Sequence, residues 1–429
     1  MIPAPTTVPG SPRSRGVGEN QGMTHPGYDV DRIRWHFPAL REGAAHFDGP
    51  GGSQVPDTVA TAVVETLTSA ISNRGTVTPA ERRADRIVVE ARAAMGDLLA
   101  MDPRGIVFGR SATELTFHLA RTLSKDWGPG DEVVVSRLDH DANIRPWVLA
   151  AEAVGATVRG ADFDPATGEL APEAFAAVVT DHTRLVAVTA ASNLIGTRPD
   201  LPAIAEIAHA AGALVWVDGV HATAHVLTDV PASGADFWVC SPYKFLGPHL
   251  GVLAASPELL ESLHPDKLVP SSDAVPERYE LGTLPYELLA GTTAAVDFLA
   301  DLALTDPSLP RRERLVASFA ALEEHEDGLL ATLEERLRAI PGLTAYSTAK
   351  HRTPTLLVTV EGRDPQELRA ALAERGVNAP AGHFYAWDCS HHLGLGATGG
   401  LRMGLAPYTN ADDIDRLATG LEEICGGER

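Results

Sequence analysis

Helical segments and short, continuous apolar runs alternate from about residue 57 to residue 260. Residues 58–67, 80–99, 112–124, 145–154 and 201–211 read as helices, and 106–108, 132–136, 157–159, 185–189, 214–217 and 237–240 as strands, of which 157–159 is the weakest. Runs such as Val133-Val134-Val135 and Val215-Trp216-Val217 do not alternate apolar with polar residues. Strands of that kind are buried on both faces, which predicts a mainly parallel sheet covered by helices.

The pattern changes near residue 288. Two long helices are predicted over 288–304 and 315–339, then a strand at 355–360, a helix at 365–374, a strand at 401–405 and a closing helix at 411–424. This reads as a smaller α/β domain, and no internal repeat is visible. The expected division is a tail over residues 1–27, a large domain over 28–290 and a small domain over 291–429, with segment 28–57 packing on the small domain. The tail is rich in Pro, Gly, Ser and Thr, lacks the apolar core of a signal peptide, and is expected to be disordered; Met23 is an alternative start.

Composition narrows the function classes. The 429 residues exceed one small domain, and a hydrophobic content of 44% suits a chain that buries a real core. A net charge of −22 argues against nucleic-acid binding, which needs a basic face. No apolar stretch reaches the roughly 18 residues of a membrane span. Three scattered cysteines, Cys240, Cys389 and Cys425, make no disulfide framework and fit a reducing, cytoplasmic compartment.

The most specific chemical signal is a pair. One apolar run ends in Asp218, and another ends in the turn Ser241-Pro242-Tyr243-Lys244, placing Lys244 26 positions after Asp218. That order suits a pyridoxal-phosphate (PLP) site. The lysine forms an imine with the cofactor aldehyde, and the acid keeps the pyridine nitrogen protonated so that the ring can accept electrons from a substrate carbanion. A lone Lys or Asp is usually a solvated surface charge, so the spacing of the two carries the inference.

Other candidates follow strand ends. Gly109-Arg110-Ser111-Ala112-Thr113-Glu114 opens a helix, where free N–H groups cradle phosphate, although Ser111 and Glu114 also make an ordinary capping box. His140 sits where ligands bind in open α/β sheets, and its flat ring suits stacking. Ser192-Asn193-Leu194-Ile195-Gly196-Thr197 offers an amide for a cofactor oxygen, or simply turn chemistry. Ser241 is placed to donate to phosphate. Arg402, a charge in an apolar strand, needs an anion, either a substrate carboxylate or a structural partner. Two motifs are decoys: Gly394-Leu395-Gly396-Ala397-Thr398-Gly399 precedes a strand and opens no helix, and His391-His392 reads as a polar loop without metal-ligand spacing.

Taken in order, these motifs, with His46-Phe47-Asp48-Gly49-Pro50-Gly51-Gly52-Ser53, Asp218-Gly219-Val220-His221, Glu280-Leu281-Gly282-Thr283 and the segment 402–410, resemble class V aminotransferase-fold PLP enzymes, in particular the cysteine desulfurase and selenocysteine lyase branch. The resemblance covers residues 28–425 and is specific to fold and cofactor, not to reaction. It implies fold type I: a seven-stranded-type, mainly parallel sheet between helices, plus a smaller C-terminal α/β domain. It also implies roles. Lys244 is the imine lysine and proton shuttle, Asp218 pairs with the pyridine nitrogen, and His140 stacks on the ring. Asn193 and His221 lie near the phenolic oxygen. Ala112, Thr113 and Ser241 bind phosphate, joined by the hydroxyl of Tyr243. Thr283 reaches the phosphate of a neighbouring subunit in a homodimer with shared sites. Arg402 binds the substrate carboxylate, and Tyr385 lies at the substrate.

Three departures from the family pattern matter. His221 stands where the family often has Gln, and Tyr243 where it usually has His. Tyr385 stands where true desulfurases carry the sulfur-accepting cysteine; Cys389, four residues on, is the possible nucleophile. The expectation is a PLP enzyme acting on a small α-amino acid as a desulfurase-like carbon–sulfur lyase, which breaks the Cα–H bond and then expels a β-substituent. An aminotransferase or epimerase of the same fold is the alternative, and a non-catalytic scaffold the remote one.

Overall fold

The computed structural model describes residues 27–426. The expected tail therefore lies, but for Gly27, outside the described residues. Seven strands form the main sheet, in the spatial order Ile106–Gly109, Gly251–Ala255, Phe237–Cys240, Leu214–Asp218, Thr183–Thr189, Glu132–Ser136, Thr157–Ala161. All run parallel except Gly251–Ala255, which is antiparallel to both neighbours.

Continuous apolar runs place alternate residues on opposite faces. Val134, Val186, Val188, Val215 and Val217 enter one core, and Val133, Val135, Leu185, Ala187 and Trp216 enter the other. A third core joins Leu333, Leu337, Leu356, Val358, Leu401, Leu417 and Leu421 with Ala45 and Phe47 from the N-terminal segment. Ala45–His46 pairs in parallel with Val377–Asn378, so this early segment is hydrogen-bonded to the C-terminal part of the chain. A four-stranded antiparallel sheet, ordered Ala381–Gly382, Gly400–Gly404, Thr355–Val360, Leu343–Ala345, backs that core.

Most helices and strands lie where the pattern puts them; the differences are local. Gly251–Ala255 is a fully buried strand that the alternation of elements did not single out, because five apolar residues carry no period that separates strand from buried helix. The two long helices begin earlier than predicted, at Tyr286–Ala300 and Arg311–Arg338, since Pro285 and Pro310 cap them. His391 and His392 are not in a loop. They end the short helix Trp387–His392, where His392 Nε2 lies 2.8 Å from the Phe163 carbonyl oxygen.

Candidate active site

A cavity of about 630 Å³ opens at the C-terminal ends of the parallel strands, where α/β sheets bind ligands. It collects Ala112, Thr113, His140, Asn193, Asp218, His221, Ser241, Tyr243, Lys244, Tyr385 and Arg402. Of the residues expected to take part in cofactor or substrate chemistry, Thr283 and Cys389 do not line it. The lining residues arrive from several strand ends and from the C-terminal part of the chain, so no single local segment makes the site.

Lys244 ends the tight turn Pro242–Lys244 that follows the strand Phe237–Cys240. Its ammonium donates to the Pro50 carbonyl. Burial, with Arg402 adding to it and Asp218 opposing, brings its pKa down to about 7. Asp218 ends the strand Leu214–Asp218, and its carboxylate accepts the Val220 N–H at 2.9 Å. Burial raises it to about 6, against the pull of that N–H and of Lys244. It is ionised at neutral pH, facing the cavity.

His140 follows the strand Glu132–Ser136. Its Nδ1 accepts the Ala142 N–H at 3.0 Å, which leaves the proton on Nε2. Burial, then Lys244, holds its pKa down near 4, so the ring is neutral. Beneath it lies Asp139, fully buried, hydrogen-bonded to Ser136 and, at 2.6 Å, to the Asn143 amide. Burial pushes Asp139 up to about 8, so this carboxyl holds its proton at neutral pH. It pins the turn that presents His140.

One end of the cavity is formed by the start of the helix Ala112–Leu123. The Ser111 hydroxyl accepts the Glu114 N–H at 3.1 Å and caps the helix. Gly251 makes the close approach possible: a Cβ there would sit 2.3 Å from the Ser111 carbonyl carbon.

The opposite wall comes from the C-terminal part. Arg402, on the strand Gly400–Gly404, is 2% exposed. Its Nη1 donates to the Asn193 carbonyl at 2.9 Å, and its guanidinium carbon lies 3.6 Å from the centroid of the Phe384 ring. Its Nε is buried without a partner, as is Asn193 Oδ1. Phe384 and Tyr385 both hold left-handed backbone, at φ 50° and 59°, a conformation strained for large side chains. Tertiary bonds hold them there: the Asn193 amide donates to Phe384 O at 3.0 Å, and the Asp141 N–H to Tyr385 O at 2.8 Å. The Tyr385 ring, 71% exposed, stacks on His140 at 5.5 Å between centroids.

Cys389 is fully buried in the helix Trp387–His392, and burial, with Asp139 nearby, pushes its thiol well above the ordinary range. Cys240 is buried in the same manner, and Cys425 lies in the closing helix Ala411–Gly426; none of the three cysteines lines the cavity. Thr283 is exposed. Just before it, the Glu280 carboxylate is held by Arg92 at 2.7 Å and by the Phe108 N–H at 3.0 Å. Sequence reasoning missed Arg145, which lines the cavity and bridges to Asp141 at 3.2 Å. Its i,i+4 spacing from Asp141, directly after a strand end, was the available signal. Trp387 packs against His383 and His391 and does not line the cavity. Among the described residues no His, Cys, Asp and Glu cluster is arranged to hold a metal.

An amine, a facing carboxylate, a flat neutral imidazole, a helix N-terminus and a buried guanidinium around one cavity are the parts found in the sequence motifs. A family model for aminotransferase class V matches residues 45–417. The chain belongs to the class V aminotransferase family. It is therefore a PLP-dependent enzyme of fold type I. The chain is 32% identical over 423 residues to the aminotransferase-like protein FGM3 of Gibberella zeae, covering 94% of this chain and 100% of that protein. It is 30% identical over 418 residues to a cysteine desulfurase of Klebsiella pneumoniae, covering 92% and 98%. The crystal structure of the cysteine desulfurase CsdA from Escherichia coli superposes with a TM-score of 0.81 at 27% identity, covering 92% of this chain and 98% of that one. Family membership fixes the fold and cofactor class; the residues at this cavity bear on the reaction.

Proposed function

We propose that the cavity binds PLP through Lys244 and Asp218 and acts on a small α-amino acid, removing its Cα proton and expelling a β-substituent without a protein thiol as acceptor. The residues fit the cofactor. A buried acid and a lysine line the same cavity, and a capped helix start offers N–H groups to an anion. When bound, PLP supplies an electron sink for the substrate's Cα.

The chain's own residues then have defined work. Ala112, Thr113, Ser241 and Tyr243 would hold the phosphate, and His140 would stack on the ring. Asp218 would pair with the pyridine nitrogen, while Asn193 and His221 would hold the phenolic oxygen. Arg402, a cation at neutral pH and braced by Asn193 and Phe384, takes the substrate carboxylate. Lys244, with its pKa near neutrality, can take up and return a proton at Cα. We further propose a homodimer in which exposed Thr283 reaches the neighbouring phosphate, the division into domains at about residue 290, and a cytoplasmic location. Among the described residues no helix is long and apolar enough to cross a membrane.

One observation carries the choice of reaction: no cysteine lines the cavity, and Tyr385 occupies the mouth over His140. Desulfuration to alanine needs a thiolate to attack the substrate sulfur. Without one, loss of the β-substituent as a free group is the outcome this chemistry permits. A second reading, transamination or epimerisation, draws on the same absence of a thiol and on the similarity to an aminotransferase-like protein. Product analysis of the PLP-loaded protein with L-cysteine separates them. Pyruvate with free sulfide is expected. Alanine with protein-bound persulfide overturns the proposal, and no product from any β-substituted amino acid transfers it to the second reading.

A further inference from the structure

Asn193 and His221, the two residues proposed to face the phenolic oxygen, are braced by one short segment from the C-terminal half of the chain. Thr353 N–H donates to the Gly196 carbonyl at 2.9 Å. Gly196, at φ 77°, has no room for a side chain: a Cβ would lie 2.9 Å from Thr353 O and 3.0 Å from Thr355 O. The turn that carries Asn193 is thus seated directly on the start of the strand Thr355–Val360.

The same segment turns two buried hydroxyls on His221. Its Nε2 lies 2.9 Å from Thr353 Oγ1 and 3.0 Å from Thr355 Oγ1. Thr353 has a second acceptor, the Gly196 carbonyl, at 3.3 Å. For the Thr355 hydroxyl, Nε2 is the one acceptor in hydrogen-bond reach among the described residues, so it is satisfied by donating there. A neutral imidazole that accepts at Nε2 carries its proton on Nδ1. The surroundings keep the ring neutral. Burial disfavours a charge, as do His225, whose ring centroid is 4.9 Å away, Lys244 and Arg402. The nearby carboxylate, Glu326, is engaged by His225 Nδ1 at 3.0 Å instead.

We propose that Thr355, assisted by Thr353, is a positioning residue that fixes His221 in the Nδ1–H form, so that His221 and Asn193 meet the phenolic oxygen of PLP as two donors. The inference rests on the PLP reading above. It assigns a function to Thr353 and Thr355, neither of which lines the cavity. It also gives a reason for the two hydroxyls beside this histidine: a donor on Nε2 holds the neutral imidazole in the form that donates from Nδ1.

The test is the pH midpoint of the visible absorbance of the PLP-loaded protein, measured without substrate. A donor on the phenolic oxygen draws off negative charge and weakens the hold on the proton beside it. Thr355→Val is therefore expected to raise the midpoint by about one unit, tenfold in proton affinity, with Thr353→Val/Thr355→Val moving at least as far. Thr355→Ser, which keeps the hydroxyl, is expected to stay within about 0.3 units of the wild type. A Thr355→Val midpoint equal to that of the wild type, or a Thr355→Ser shift as large as the valine shift, overturns the proposal. A wild-type protein that shows no bound-cofactor absorbance overturns the PLP reading instead, and the two failures are distinct. Nitrogen-15 NMR of histidine in the wild-type protein decides the same point without a variant. A proton on His221 Nδ1 is expected, and a proton on Nε2 overturns it.

Discussion

The two walls of the cavity are built by different means. The wall at the strand ends takes one functional residue from each of several parallel strands: His140 after Glu132–Ser136, Asn193 after Thr183–Thr189, Asp218 at the end of Leu214–Asp218, and Lys244 after Phe237–Cys240. Its geometry follows from a buried sheet whose register is fixed by two apolar cores. The facing wall is made of Arg402 on an antiparallel strand and of Phe384 and Tyr385, two residues in left-handed backbone held by bonds to Asn193 and Asp141. The first wall is set by the buried sheet itself. The second leans on the first through the hydrogen bonds to Asn193 and Asp141, so on the proposed reading the strand ends would serve the cofactor and the facing wall the substrate.

The largest expected effect breaks the first wall. Lys244→Ala should lower turnover by at least about a thousandfold, since it removes both the cofactor attachment and the proton carrier. A variant that retains wild-type turnover in a steady-state assay would remove the amine from the mechanism. Arg402→Ala addresses the second wall. It should raise KM roughly tenfold to a hundredfold, the cost of losing charge-assisted hydrogen bonds to a carboxylate, while kcat changes less. An unchanged KM would refute the carboxylate role.

Two smaller effects sharpen the contrast. Asp139 lies below the first wall and holds its proton up to about pH 8, against the ordinary aspartate value of 3.8 in the unfolded chain. Between those values the folded state binds a proton that the unfolded state has lost, so this residue makes stability fall as pH rises. Asp139→Asn mimics the protonated form and cannot ionise. Its stability relative to the wild type, read by chemical denaturation, should grow from near pH 4 to near pH 8 and then level off. A flat difference across that window would contradict a protonated Asp139. Cys389→Ala should leave lyase activity within about twofold and cost about 1 kcal/mol of stability, the effect of trimming a small buried side chain. An inactive variant with normal PLP binding would bring back the thiol route.

The same contrast explains what the sequence made legible. Lys244, Asp218 and His140 stand at the ends of continuous apolar runs, and such runs become buried parallel strands whose C-terminal ends share one edge. Arg402 was visible as a charge inside an apolar strand. The region between 382 and 399 was not legible in this way. The left-handed turns at Phe384 and Tyr385 are imposed by distant hydrogen bonds, against the local preference of bulky residues. The helix Trp387–His392 is one short stretch whose Cys389 and Ser390 are buried only because the fold closes over them. Cys389 was a possible nucleophile through its proximity to Tyr385 along the chain; in the helix its thiol is fully buried and does not line the cavity. The strand Gly251–Ala255 was missed for want of a period, and Arg145 because an exposed helix-start arginine looks like any surface charge until the cavity is seen.

The central claim is that Lys244 is the residue to which PLP is attached. It is tested most directly by reducing the PLP-loaded protein with borohydride and mapping the modified peptide by mass spectrometry. The account predicts a reduced pyridoxyl adduct on Lys244. An adduct on another lysine, or none on a protein that has taken up the cofactor, would contradict it.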